Sequence, residues 1–233
     1  MRLEPLLKIG DLEPSLKRTL LSPPNGKVAA PSFNLPSVGM MEEGQFIVIC
    51  KRAWAERLDC LSECYAANIE EFRKNTYKSY VKNYHESFEE NFQDKIRSEI
   101  VYSYGEYDAF RIHCGGEFFD REYFEKWVSI ARKIPGVMFW AYTKEKELGI
   151  LPRPKNFVLI FSADIGKWEE KPEGFNNIAF VVRKKDDVIT TPEGEELKAN
   201  CPYQFDKRIK CAALCTKCLR PNYTKPIVFI KHR

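Results

Sequence analysis

The sequence predicts an α/β fold: a mostly parallel sheet or partial barrel with flanking helices and a Cys-rich, metal-binding C-terminal segment. Three observations predict it. Short, near-continuously apolar runs such as NFVLIFSAD and NNIAFVVRK read as strands buried on both faces, as in parallel sheets. One stretch of about 35 residues reads strand, helix, strand, and such crossovers are right-handed and pair their strands in parallel. Eight cysteines among 233 residues fall into two groups instead of scattering.

Composition sets the frame for these readings. With 44% apolar and 30% charged residues the chain is globular, and at this size it buries roughly 70% of its unfolded surface without covalent staples. No apolar run approaches the ~20 residues that span a bilayer, and MRLEPLLKIGDLEPSLK lacks the apolar centre of a signal peptide. The expectation is a cytoplasmic protein with no membrane partner, kept reduced. There, clustered cysteines more often bind metals or do redox work than form structural disulfides.

Along the chain, residues 1–44 are rich in Pro and Gly and read as an irregular or weakly stranded lead-in. Residues 45–198 form the expected α/β core, and 199–233 a Cys-rich segment packed on it. GQFIVIC is β-branched and apolar, a strand delivering Cys50. From Ala66 to about Ser98 apolar residues recur in helical steps, predicting one long helix or two in series, with the aromatic stripe as core. AFRIH is a strand broken by Gly115-Gly116. Asp120 is placed to cap the next helix, whose apolar positions run from Tyr123 to Ile134 before Pro135-Gly136 stops it. VMFWAYTK, NFVLIFSAD and NNIAFVVRK are the following strands. The connection GKWEEKPEG is too short and too Pro/Gly-marked for a full helix, residues 184–198 are polar around a turn at Pro192-Glu193-Gly194, and PIVFIKHR offers the last strand.

The chemistry concentrates in three places. Cys201, Cys211, Cys215 and Cys218 supply a tetrathiolate set within 18 residues, because thiolates a few residues apart close around one ion or cluster with little loop entropy. The C-x3-C-x2-C run resembles iron–sulfur spacing more than a zinc knuckle, with zinc as the alternative. Cys50, Cys60 and Cys64 form a trio that leaves a fourth coordination position open, as a working site needs; the bland reading is that they are packed side chains at a helix start. In HCGGEFF, Gly115 and Gly116 permit close backbone approach and Glu117 offers an acceptor. With Tyr142, Thr143 and Lys144 at the next strand end, this gives Glu117, His113 and Lys144 as candidate catalytic groups and Gly115, Gly116, Glu117 and Tyr142 as candidate cofactor contacts. Against this, His113 reads equally as a core histidine and Glu117 as an ordinary helix-entrance residue. Residues 201–233 carry eight Lys/Arg and one acid, although the whole chain is only +4. That local charge attracts nucleic acid or offsets thiolates.

The segments FNLPSVG…CLSECYA, FRIHCGGEFFDREYFEKWVSIARKIPGVMFWAYTK and CPYQFDKRIKCAALCTKC…IVFIKH resemble, in this order, the gene product 88 family of bacteriophage proteins. The resemblance covers roughly residues 30–232. It implies a viral or prophage origin, hence the cytoplasm of an infected or lysogenic bacterial host, and carries no established activity. The family has Ser-Gly-Asp where this chain has Cys114-Gly115-Gly116-Glu117, which speaks against Cys114 as a ligand. The family's first cysteine begins a Cys-Pro-Gly stretch nearer the second; here Cys50 precedes Lys51 and a nine-residue gap.

A remoter similarity, of motif order only, is to radical S-adenosylmethionine enzymes, which follow their first strand with three cysteines and end their second with Gly-Gly-Glu. It implies one or two 4Fe-4S clusters and S-adenosylmethionine as cofactor, acting on an unknown substrate. The alternative is a non-catalytic phage protein, stabilised by zinc or a cluster, that binds nucleic acid or a host protein through its basic segment.

Overall fold

The structure, a computed structural model, describes residues 19–231. In chain order the elements are β1 (Ser32–Phe33), β2 (Gly39–Glu42), β3 (Gln45–Val48), α1 (Lys51–Ala55), α2 (Tyr65–Phe72), α3 (Lys74–Glu86), α4 (Phe92–Tyr104) and β4 (Ala109–Ile112). They continue with α5 (Arg121–Lys133), β5 (Met138–Thr143), β6 (Phe157–Ser162), β7 (Asn177–Val182), β8 (Val188–Thr190), β9 (Glu196–Lys198), α6 (Pro202–Phe205) and β10 (Ile227–Ile230). The architecture is mixed α/β around one six-stranded sheet of order β1-β4-β5-β6-β7-β10. Every neighbouring pair in it is parallel, and the strands lie in the order the chain makes them. The sheet is open: β1 and β10 are its edges among the described residues.

Both faces are covered, which is why the strands read as unbroken apolar runs. Side chains alternate along each strand. Phe110 and Ile112, Phe139 and Ala141, Leu159 and Phe161, and Phe180 and Val182 turn to one face, where α4, α5 and the strand connections bury them. Ala109, Trp140, Val158, Ile160, Ala179 and Ile227 turn to the other. There no long α-helix covers it: Val28, Ala30, Cys211, Cys218, Leu219 and Tyr223, drawn from both ends of the described chain and including one short 3-10 turn, pack against it.

The helix α5 forms as its pattern dictates. Asp120 accepts the Tyr123 backbone N–H at 2.7 Å, and Tyr123, Phe124, Trp127, Val128, Ile130 and Ala131 make the buried stripe. Asn156 closes the other end, donating to the carbonyls of Ala131, Ile134 and Val137. Asp120→Ala is expected to cost about 1 kcal/mol, the usual value of an N-cap, read as a shift in the urea midpoint; an unshifted midpoint would mean that the cap adds nothing.

Several expectations need correction. FIVIC is not a strand of the main sheet: β3 pairs antiparallel with β2 in a separate hairpin that ends before Cys50. The strand that precedes the cysteine loop in the sheet is β1, two residues long and inside the segment read as lead-in. Leu20, Leu21, Phe33 and Leu35 of that segment are buried core, held partly by Glu99, which accepts the Leu20 and Leu21 amides. Residues 1–18 of the lead-in lie outside the described residues, as do 232 and 233. The long helical stretch is three helices, not one or two. Its apolar stripe is core only in its second half, where Phe92, Ile96 and Ile100 are buried while Phe72 is 85% exposed. The strand AFRIH stops at Ile112, because His113 takes a left-handed φ of 59°. The polar stretch 184–198 folds into the hairpin β8–β9.

Candidate functional site

The C-terminal ends of the strands open into a cavity of about 1340 Å³, and all eight cysteines line it. The cysteine loop between β1 and β4 forms one wall. Asp164, just past β6, accepts the backbone amides of Asp59 and Cys60, each at 3.1 Å. Glu63 is gripped by Arg183 at 2.7 Å, beyond β7, and by Lys231 at 2.5 Å, beyond β10. Three strand ends thus hold the short turn carrying Cys60 and Cys64. Cys50 follows the hairpin and donates its amide to the Val38 carbonyl.

The end of β4 forms the second wall. Asn34 accepts the amides of Cys114 and Gly115 on one side chain oxygen. Gly116 has φ 96°, and a Cβ there would sit 2.6 Å from that of Leu35. This glycine therefore serves a close approach of the chain to itself rather than to a ligand. Glu117, 5% exposed, accepts the Phe118 amide on Oε1 and the Lys144 amide on Oε2, both at 2.8 Å. Burial pushes its carboxyl up to about 7 despite the hydrogen bonds from Thr143 and these two amides, which favour the charged form. Lys144 extends over the end of β6 and donates Nζ to the carbonyls of Ser162 and Ala163. His113 is buried with Nε2 against the Tyr123 hydroxyl at 2.9 Å, while Nδ1 has no hydrogen-bond partner among the described residues. Burial, aided by Arg111, lowers its pKa to about 3, so the ring is neutral at physiological pH.

The C-terminal segment forms the third wall, folded across the face of the sheet opposite α4 and α5. Cys211 is tied to residues 27–29, donating its amide to the Lys27 carbonyl and accepting that of Ala29. The Ala212 amide closes on the Cys215 carbonyl at 3.0 Å. Tyr142 donates its hydroxyl to Cys218 Sγ at 2.9 Å, joining a β5 residue to this segment. The thiols interact within each group: Cys60 and Cys64 help raise Cys50, and Cys201 and Cys215 help raise Cys211, in each case behind the larger effect of burial. Burial also lifts Cys60 to about 11 and Cys218 to about 12.

The structure therefore brings the two cysteine groups, the Gly-Gly-Glu turn, Tyr142 and Lys144 around one space. It does not close any of them into a ligand set: among the described residues no three His, Cys, Asp or Glu side chains are grouped so as to hold a metal ion. All eight thiols are free. The expected metal ligands, Cys50, Cys60, Cys64, Cys201, Cys211, Cys215 and Cys218, are neighbours around a cavity, not a coordination shell. Sequence reasoning passed over Asp164, Asn34, Lys27 and Arg111. Asp164 ends the run NFVLIFSAD, and a carboxylate just beyond a buried strand was a signal. Arg111 was another, a charge inside the apolar strand AFRIH. Asn34 and Lys27 had none, because their roles depend on where the lead-in folds.

Among the described residues no helix is long and apolar enough to cross a membrane. No solved structure matches the chain. Two proteins called gene 88 protein are similar to it. That of Mycobacterium phage L5 is 31% identical over 117 residues, 45% of this chain and 49% of the relative; that of Mycobacterium phage D29 is 38% identical over 58 residues, 24% of each. This chain thus spans about half the length of the first and a quarter of the second. The family model described as gene product 88 matches residues 11–222, which takes in all eight cysteines, and the chain belongs to that family.

Proposed function

We propose that this protein is an iron–sulfur cluster protein that places an open cluster on Cys50, Cys60 and Cys64 and a second one on Cys201, Cys211, Cys215 and Cys218, in the manner of a radical S-adenosylmethionine enzyme. One observation carries this reading: cysteines from opposite ends of the chain line a single cavity beyond the C-terminal ends of sequentially ordered parallel strands. In open parallel sheets that is where ligands gather. The thiols suit a metal centre in their chemistry. Burial alone favours their neutral form, so a thiolate here needs compensating positive charge, which a bound centre supplies.

When bound, such a centre would supply one-electron chemistry to a sulfonium cofactor. The chain's own contributions are more specific. Glu117 faces Cys50 closely enough to help raise its pKa, behind the larger effect of burial. In this reading Glu117 receives the cofactor's ammonium group, Tyr142 borders the second thiol group through Cys218, and Lys144 fixes the β5 end against β6. His113, neutral and buried, orients the turn before Gly115 and does not take up a second ring proton near neutrality.

The test is anaerobic purification followed by iron, sulfide and zinc determination. About four or eight irons and sulfides per chain are expected for one or two 4Fe-4S clusters, with a brown colour and loss of part of the iron in Cys215→Ala. Colourless protein with one zinc would instead favour the alternative, a metal-stabilised phage protein that meets nucleic acid or a host protein through its basic segment. Metal-free protein that is fully folded, or Cys215→Ala with unchanged metal content, would overturn thiolate ligation. Glu117→Ala is expected to abolish binding of S-adenosylmethionine; unchanged binding removes the role given to Glu117.

A further inference from the structure

The cavity is larger than its thiols require and carries more positive charge than they would neutralise. Seven Lys/Arg side chains line it against two carboxylates, Glu63 and Glu117. Glu63 is already spent on Arg183 and Lys231. Four thiolates around a divalent ion leave about two negative charges, fewer than the excess of five cations. Its volume of about 1340 Å³ also exceeds the roughly 300–1,000 Å³ of most small-molecule sites, which leaves room beside the thiol groups.

Two of these cations lie inside, on the sheet face opposite the helices. Arg111, on β4, lays its guanidinium 4.2 Å from the centre of the Tyr142 ring and 5.7 Å from that of Trp140. Its Nε donates to the His113 carbonyl at 3.0 Å. Its two terminal nitrogens make no hydrogen bond among the described residues, so the fork is held in place with its paired donors presented to the cavity. Lys27 enters from the lead-in, with Nζ 5.8 Å from the rings of both Tyr203 and Phe229. Burial is the largest influence on Lys27 and lowers its pKa; Cys201 and Cys211 oppose it, and the nearby Arg111 charge adds a smaller lowering.

We infer that this inner face is a binding site for a phosphate-bearing small molecule, with Arg111 as the bidentate contact and Lys27 as the second cation. Two converging cations select a dianion over a monocarboxylate, and the half-buried rings of Tyr203 and Phe229 offer flat apolar surface to the organic body of such a ligand. The site stands on this geometry whether or not the thiols hold metal.

The experiment uses the full chain as purified and inorganic phosphate as probe, with thermal unfolding read at constant ionic strength against acetate. A saturable rise in Tm with phosphate, absent with acetate, is expected. The midpoint should move at least tenfold to higher phosphate in Arg111→Gln and in Lys27→Gln, less in Arg111→Lys, and stay in place in Lys133→Gln, on α5 outside the cavity lining. If Arg111→Gln fails to fold, Arg111→Lys and Lys27→Gln carry the comparison. Equal effects of phosphate and acetate, no saturation, or the same loss in Lys133→Gln as in the inner variants would overturn the site. Metal analysis of the same samples keeps this result separate from that for the clusters.

Discussion

Trp127→Ala is expected to cost about 3–5 kcal/mol, the range for removing a large buried aromatic ring. That is a large share of the roughly 5–15 kcal/mol that holds a domain of this kind together. Trp127 is 0% exposed on α5 and touches four rings on separate elements. Phe33 of β1 lies 5.2 Å away, Phe92 of α4 and Phe110 of β4 5.8 Å each, and Tyr123 one turn earlier 6.3 Å. Removing it empties the joint where the edge strand, the sheet and two helices meet, and so loosens β1 and the cysteine loop that follows. Chemical denaturation is the check, with Trp127→Phe as the smaller change. A cost below about 1 kcal/mol for the Ala variant would mean that the joint collapses around the void.

The second large effect is a pH dependence set by Glu117. Its carboxyl titrates near 7 in the folded chain against an ordinary value of 4.5. Below the ordinary value both states are protonated and the group contributes nothing. Between the two values the native state binds the proton that the unfolded state has lost, so stability falls as pH rises. Above the folded value the full cost applies, up to about 3 kcal/mol at 1.36 kcal/mol per unit. Glu117→Gln removes the titration and satisfies one of the two amides its oxygens now accept, a loss that is constant with pH. The stability difference between wild type and Glu117→Gln, measured in urea from pH 4.5 to 8, should therefore change steadily against the wild type and level off above about 7. A difference independent of pH would show that Glu117 is not held in its neutral form.

Much of the scaffold was legible from local pattern. The runs at β5, β6, β7 and β10 were apolar without alternation because both faces of the sheet are covered. The stripe and cap of α5 followed from its own residues. What misled was equally physical. FIVIC has strand propensity, which selects an extended backbone but not a partner, and its partner is the adjacent β2. Ser32 and Phe33 lie among prolines and glycines, yet β4 supplies the hydrogen bonds that make them a strand. Phe72 keeps helical spacing with the core residues beyond it, but α2 ends before that stripe reaches the core, so it faces solvent.

The cysteine spacings and the Gly-Gly-Glu turn were visible one group at a time, as were the strand ends that carry them. By itself the sequence determined the strands β4 to β7 and β10, where α5 begins and ends, and which residues carry sulfur or charge. These follow from nearest-neighbour chemistry. Tertiary structure alone decided that the two cysteine groups share one cavity, that Asp164 and Glu63 fasten the cysteine loop to three strand ends, and that Arg111 and Lys27 meet inside. Each of those contacts joins residues far apart in the chain, and long-range pairing is set by how the covered faces of the sheet pack, which no local spacing encodes.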